Sequence, residues 1–233
     1  MRINKYLAHE GIASRREADV LVEAGRVKIN GKKAQNGDQV NETDKVEVSG
    51  ATKPKSYLAY YKGRGIITHS PSEREVDIAT KLAKDYGITH VSPVGRLDKD
   101  SEGLMILSND GRITGPLLDP EADHEKEYEV MVDKPVGPMF IKAMSNGVDI
   151  EGYRTKKAKA TKHKSNDKKF TIILTEGKKH QIRRMCAALG FQIQSLKRVR
   201  IMNISLDKLK PNQYRKISGP ELQVFLKELG VEK

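Results

Sequence analysis

The sequence predicts an α+β protein: a small N-terminal unit, then a larger one whose sheet is mixed and largely antiparallel, with helices on its flanks. Three observations predict it. The first 49 residues carry their own helix start and stop signals. The stretch after Val48, SGATKPKS, mixes Ser, Gly, Pro and Lys without periodicity. Beyond it, strand-like and helix-like runs interleave without the strict alternation of a doubly wound parallel sheet. The expected division is 1–49, a linker over 50–55, and 56–233.

Each element has a local reason. In INKYLAHEG the apolar Ile3, Tyr6 and Leu7 fall at i, i+3 and i+4, and Gly11 follows as a stop, which gives a short amphipathic helix. Ser14 and Glu17 have capping-box spacing, in which the hydroxyl and the carboxylate each satisfy an orphan backbone N–H. Ala18, Leu21 and Val22 then form one buried stripe that ends at Gly25. In VKINGKK, Asn30-Gly31 supplies the two positive-φ residues of a tight hairpin turn. The larger unit offers strand-like YLAYY, EYEVMV, FTIIL and VRIMNISL, and helix-like VDIATKLAKDYG, PMFIKAMSNG, HQIRRMCAALG and GPELQVFLKELG, with no internal repeat.

Composition narrows the partners. In 233 residues, 43 Lys and Arg stand against 31 Asp and Glu, a formal net charge of +12. Such an excess favours polyanions, nucleic acid before an anionic membrane. The first 33 residues hold eight basic side chains against four acids, and residues 153–200 hold fifteen against Asp167 and Glu176. From charge alone, such runs are as readily a solvated surface as a binding face. No apolar run approaches the roughly 18–20 residues of a membrane span, and MRINKYLAHEG lacks a secretory core, so a cytoplasmic protein without a membrane partner is expected. The single cysteine, Cys186, excludes an internal disulfide and a multi-cysteine zinc site.

GRLDKDSEGLMILSNDG, Gly95 to Gly111, packs Asp98, Asp100 and Glu102 into five positions before an apolar segment. Three readings compete. A calcium loop fits Asp98, Asp100, Glu102 and Gly103, but Asn109 stands where a bidentate Glu is needed, and THVSPVGR does not make the preceding helix. A solvated turn, with Asp and Ser satisfying local backbone groups, is the ordinary alternative. The third reading takes the phrase whole: strand-like HVSPVGRL, an acid at its end, a small-residue turn closed by Gly103, then the buried strand LMILS. A carboxylate at the mouth of a buried strand, two residues after Arg96, suits a nucleophile or an acid/base group. Spacing alone leaves the last two open. His180 and Cys186 are two possible metal ligands without companions, so both are read as structural and no metal is expected.

Two stretches resemble known modules. INKYLAHEGIASRREADVLVEAGRVKINGKK follows the IxKxLAxxGxASRREAxxLIxxGRVxVNG pattern of the S4 RNA-binding domain almost throughout, which implies that Arg15, Arg16, Arg26 and Lys28 line an RNA-facing surface. GRLDKDSEGLMILSNDG is similar to the catalytic motif of the RNA pseudouridine synthases, in the RsuA/RluB/RluE/RluF branch that joins an S4 domain to a catalytic domain. The similarity extends over nearly the whole chain. It implies a catalytic Asp98, a Tyr128 (in KEYEVMV) that stacks on the target base, a Leu174 beside it, and an Arg183 (in LTEGKKHQIRRM) in a salt bridge with Asp98. Arg96 is the candidate to fill the space left by an extruded base or to clamp its phosphate. The family usually reads KPRG where this chain has Lys62-Gly63-Arg64-Gly65, and the missing proline should loosen that loop.

The implied reaction detaches uracil from C1′ of its ribose and rejoins it through C5, so no atoms are gained or lost and no cofactor is implied. RVRIMNISL and the C-terminal PNQYRKIS…ELQVFLKELG are most like the branch member that modifies large-subunit ribosomal RNA. The implied partner is therefore ribosomal RNA or an assembling subunit, met by a monomer. The rival is a non-catalytic RNA-binding or ribosome-assembly protein that retains the fold. The basic surface serves both; the combination of Asp98, Tyr128 and Arg183 favours the enzyme.

Overall fold

The computed structural model describes the chain except for residues 51–53, 70, 71, 73, 74 and 233 and the side chain of Arg16. The linker expected over 50–55 therefore lies partly outside the described residues. In the N-terminal unit, α1 (Ile3–His9) stops before Gly11, whose φ is +67°. The capping box forms as expected at α2 (Arg15–Glu23): Glu17 N–H donates to Ser14 Oγ at 3.2 Å, and Ser14 N–H to Glu17 Oε2 at 3.0 Å. β1 (Val27–Ile29) and β2 (Lys32–Lys33) form the hairpin through Asn30 (φ 51°) and Gly31 (φ 78°). The structure adds β3 (Val46–Val48), antiparallel on the other edge of β1, which three residues of VEV are too short to announce. Ile3, Leu7, Ala18, Val22 and Val27 make this unit's own core.

The larger unit runs β4 (Tyr57–Lys62), α3 (Ile78–Tyr86), β5 (Ser92–Val94), β6 (Glu102–Ser108), a 3₁₀ turn (Gly111–Ile113), α4 (Thr114–Leu118), β7 (Lys126–Val132), α5 (Pro138–Asn146), β8 (Asp149–Ile150) and β9 (Tyr153–Arg154). Then follow β10 (Lys159–Lys162), β11 (Lys169–Leu174), α6 (Gln181–Ala188), β12 (Ile193–Ile201), β13 (Ile204–Ser205), β14 (Tyr214–Lys216) and α7 (Gly219–Glu228). Among the described residues one large sheet has the order β10-β11-β7-β12-β6-β4-β14, with β13 on β12 and β5 on β6. Its pairs are antiparallel except β6 with β12, so the sheet is mixed and largely antiparallel, as the sequence predicts. No helix of the described residues is long and apolar enough to cross a membrane.

Every residue of β4 is buried because both faces of its sheet are covered. Leu58 and Tyr60 pack with Ile78 and Leu82 of α3; Tyr57, Ala59 and Tyr61 share a core with Phe225 of α7. Further along the sheet, Val130, Val132, Phe170 and Ile172 pack with Phe140 and Met144 of α5 and with Ile182, Met185 and Cys186 of α6. Each such side chain contributes about 1.5–3 kcal/mol when fully buried. The parallel β6–β12 pair joins the two halves of the sheet, and there the backbones approach closely. Gly103 has φ +113°, and a Cβ on it would lie 2.2 Å from the Arg198 carbonyl oxygen, so only glycine fits. The turn that leads into β6 at this junction carries Asp98.

Candidate active site

The turn before β6 is held by its backbone. Ser101 N–H donates to the Asp98 carbonyl at 3.1 Å, Gly65 N–H to the Lys99 carbonyl at 2.8 Å, and Thr68 Oγ1 to the Leu97 carbonyl at 2.9 Å. Its three carboxylates then differ. Glu102 accepts from the Tyr61 hydroxyl at 2.9 Å. Asp100 is exposed. The Asp98 side chain is 40% exposed, and the nearest basic side chain to it among the described residues is His180, with Nε2 3.5 Å from Oδ1. At that distance the contact is longer than an ordinary hydrogen bond.

That pairing corrects the salt bridge expected between Arg183 and Asp98. Arg183 Nη2 instead donates to Ser101 Oγ at 3.1 Å, and the residue facing the carboxylate is His180, expected to be merely structural. The reason is local. His180 caps α6 in a left-handed conformation (φ 52°), which turns its ring toward the Asp98 turn; Arg183, three residues on, lies on the same helix face and reaches the Ser101 end of that turn. The start of α6 is fixed by buried Glu176, which accepts from Tyr153 Oη and Gln181 Nε2, each at 2.5 Å, and from Lys156 N–H at 2.9 Å. Burial pushes the Cys186 thiol up to about 12, which makes it an inert core group.

Strand register sets Tyr128 in line with Gly103, at the start of β6. Ile172, Tyr128, Arg198 and Gly103 form one row across β11, β7, β12 and β6. With strands about 4.8 Å apart, the Tyr128 backbone sits about 10 Å from Gly103. Leu174 pairs with Lys126, diagonal to Tyr128, and both Tyr128 and Leu174 are buried. Arg96 is exposed and makes no hydrogen bond or ion pair among the described residues.

The basic surface is smaller than the residue count implies. Arg154, Lys156, Arg184, Lys197 and Arg200 are each paired with a carboxylate. Lys157, Lys159, Lys162, Lys164, Lys168 and Lys169 are exposed, and none has a carboxylate within 4 Å among the described residues; they cluster on and around the β10–β11 hairpin. In the N-terminal unit Arg15 and Lys28 are exposed, whereas Arg26 is half-buried and spends its Nε on the Ser49 carbonyl at 2.8 Å. The Arg16 side chain lies outside the described residues.

The comparisons with known proteins converge on one chemistry. The model of the RNA pseudouridylate synthase family matches residues 56–188, and that of the S4 domain residues 1–46. The chain belongs to the RNA pseudouridine synthases. This synthase is 42% identical over 231 residues to the dual-specificity RNA pseudouridine synthase RluF of Escherichia coli K12, a match covering 95% of this chain and 77% of the relative. It is 32% identical over 230 residues to the ribosomal large subunit pseudouridine synthase B of Bacillus subtilis, covering 95% and 94% of the two chains. A crystal structure of a pseudouridylate synthase superposes with a TM-score of 0.70 at 27% identity, covering 98% of this synthase and 99% of that chain.

Two residues of the site escape sequence reasoning. Two candidate ligands without companions, His180 and Cys186, make a poor metal site, so His180 reads as structural; its place three residues before Arg183 is the available signal. Lys62 reads only as the start of a departing motif, yet it is completely buried beneath the Asp98 turn.

Proposed function

We propose that this synthase converts a specific uridine of large-subunit ribosomal RNA to pseudouridine, with Asp98 as the reacting carboxylate. The observation that carries the reading is the Asp98 turn, where a part-exposed carboxylate with no hydrogen-bond donor among the described residues faces His180 at the mouth of a buried strand. A ribosomal target is supported by the name of the Bacillus subtilis relative, a ribosomal large subunit pseudouridine synthase.

Asp98 acts by attacking C1′ or by removing the C2′ proton. On either route the C1′–N1 bond breaks, the freed uracil turns, C5 bonds to C1′ (displacing the Asp98 carboxylate on the first route, with the proton taken from C2′ returned there on the second), the C5 proton leaves and N1 ends protonated. The product is an isomer, and the chemistry calls for no cofactor and no metal. Extruding the base costs about a few kcal/mol, less where it already lies in a loop. Arg96 fills the vacated space or clamps its phosphate, while Tyr128 and Leu174 receive the base. Arg183 steadies the turn through Ser101.

Residues 56–233 form the catalytic domain in this reading. Residues 1–49, joined by the 50–55 linker, select the RNA through Arg15, Arg16, Arg26 and Lys28. Phosphate neutralisation gives affinity and salt dependence but little specificity, so the target is chosen by RNA shape and loop bases. The protein works as a cytoplasmic monomer. Mapping pseudouridines in RNA from cells with and without it tests the reading. Loss of a modification confined to large-subunit ribosomal RNA is expected; loss confined to another RNA, or an unchanged map, overturns the target.

A further inference from the structure

β7 and β12 sort their charges by face. On β7, Glu127 and Glu129 alternate with Lys126 and Tyr128, so the acids project to one side of the sheet and Lys126 and Tyr128 to the other. On the acidic side Lys197 meets Glu129 at 3.4 Å, and Arg200 meets Glu127 and Glu125, each at 2.8 Å. Arg200 reaches that side because the register shifts between Arg198 and Arg200; without the extra residue it would share the face of Arg198. Arg198 stays on the other face, directly opposite Tyr128, 6% exposed and with no carboxylate within 4 Å among the described residues. Its Nε donates to the Leu104 carbonyl and its Nη2 to Met105 Sδ, a weak acceptor, each at 2.8 Å, which leaves part of the guanidinium fork unused. Lys126 is partly buried, and among the described residues its ammonium donates only to the His124 carbonyl, at 3.1 Å. Burial, with the charge of Arg198 added, holds that ammonium below the usual lysine range. Two cations therefore flank Tyr128, while every acid of these two strands is on the far side of the sheet.

We propose that Lys126 and Arg198 are catalytic residues that hold the negative charge of the departing uracil, their N–H groups directed at its ring oxygens. The electron count requires such a charge. When the C1′–N1 bond breaks, the bonding pair stays with the base, and the ring becomes an anion shared by N1, O2 and O4 until C5 bonds to C1′. Neither Asp98 nor the π face of Tyr128, the negative side of that ring's quadrupole, can meet it. Neighbouring strands lie about 4.8 Å apart and residues two apart on a strand about 6.8 Å, so both cations are within a side chain's reach of a base stacked on Tyr128. Fixed donors aimed at a developing charge act strongly where water is excluded, because the low dielectric leaves the attraction unscreened. A phosphate of the RNA backbone is the other anion to consider, but it is bulky and hydrated, and Arg198 opens too little surface to receive one.

The inference rests on the proposed reaction at Asp98, and the experiment separates the two. Lys126→Met, Lys126→Arg, Arg198→Met, Asp98→Asn and the unaltered chain are each given an RNA fragment carrying the uridine that the protein modifies, or the same fragment with 5-fluorouridine in its place. Disappearance of that nucleotide is followed in single turnovers at saturating RNA, with affinity measured alongside at several salt concentrations. Fluorine withdraws electrons and steadies the uracil anion from within, so 5-fluorouridine depends less on outside cations. On uridine, Lys126→Met and Arg198→Met are expected to lose roughly 100-fold or more in rate, as when one donor is removed from an oxyanion site, with affinity within twofold. On 5-fluorouridine the same deficits should shrink severalfold, and Lys126→Arg, which keeps the charge, should recover most of the rate. Equal deficits on the two bases, as a merely structural loss would give, overturn the inference, and so do rates near that of the unaltered chain. Weakened binding with a salt slope shallower by about 0.7 would assign the cations to a phosphate and overturn it as well. If Arg198→Met does not fold, the two Lys126 variants decide. Any of these failures beside an inert Asp98→Asn overturns the role of the cations alone; turnover by Asp98→Asn overturns the site.

Discussion

Strand β6 has an aspartate near each end, and the two sit in opposite surroundings. Asp98, before the strand, is 40% exposed and has His180 at 3.5 Å. Asp110, after it, is 1% exposed and surrounded by donors: Tyr57 Oη at 2.5 Å, Arg112 Nη2 at 2.7 Å, Nε at 3.0 Å and backbone N–H at 3.2 Å. Burial alone would raise the Asp110 carboxyl, but hydrogen bonds from Arg112 and Tyr57 and the charge of Lys55 outweigh it and hold it below the usual carboxylate range. A carboxylate so completely satisfied has nothing left with which to attack a sugar. One left with a single loose contact has its lone pairs free, as the proposed reaction requires.

The largest effect expected from breaking this contrast is on chemistry. Asp98→Asn keeps the shape and removes the charge, so pseudouridine formation should fall below detection while thermal unfolding stays within a degree or two. Turnover in that variant, assayed on RNA by nearest-neighbour analysis, would sink the assignment.

The second effect is on stability. Asp110→Asn leaves Arg112 with no carboxylate, and breaking a buried ion pair costs about 3–5 kcal/mol. Urea unfolding should show that loss, with the rate per folded molecule unchanged. Because the folded Asp110 carboxyl is depressed, its contribution is complete above the unfolded value of 3.8 and disappears as pH falls through the lower folded value. The stability gap between the unaltered chain and Asp110→Asn should therefore be full at pH 6 and shrink below pH 3.8. A gap of constant size would show that Asp110 acts through shape alone.

Local features of this molecule were legible in its sequence, and distant ones were not. The Ser14–Glu17 capping box and the Asn30-Gly31 hairpin are short-range codes, and both form as read. Asp110 is printed in the same motif as Asp98, but its burial depends on Tyr57, 53 residues earlier, which no spacing rule connects. The parallel β6–β12 pair is more distant still in sequence, and only Gly103 hints at the close approach it needs. Resemblance supplied Arg183 but not its rotamer, which is set by the left-handed His180 cap and by Ser101. A lysine in a glycine loop ordinarily reads as exposed, which hides Lys62; the carbonyls that take its ammonium, those of Gly63, Ile66, Lys99 and Ser101, come together only in three dimensions.

The smallest effect concerns affinity, and it leaves both aspartates alone. β10 is an edge strand, and exposed lysines on an edge have a second explanation, that they discourage pairing with other chains. Reversing Lys162, on β10, and Lys164 and Lys168, in the loop that follows it, to Glu separates the two roles, because glutamates keep this end of the edge charged while repelling phosphate. The triple variant should keep the oligomeric state of the unaltered chain and unfold like it. Its single-turnover rate at saturating RNA should also be unchanged. Its KM should rise, and the slope of log affinity against log salt should become shallower by about 0.7–0.9 for each phosphate that is no longer neutralised. Light scattering checks the first expectation, and filter binding at four salt concentrations checks the last. An unchanged slope would return these lysines to edge protection and leave RNA attraction to Arg15, Lys28 and the rest of the N-terminal unit.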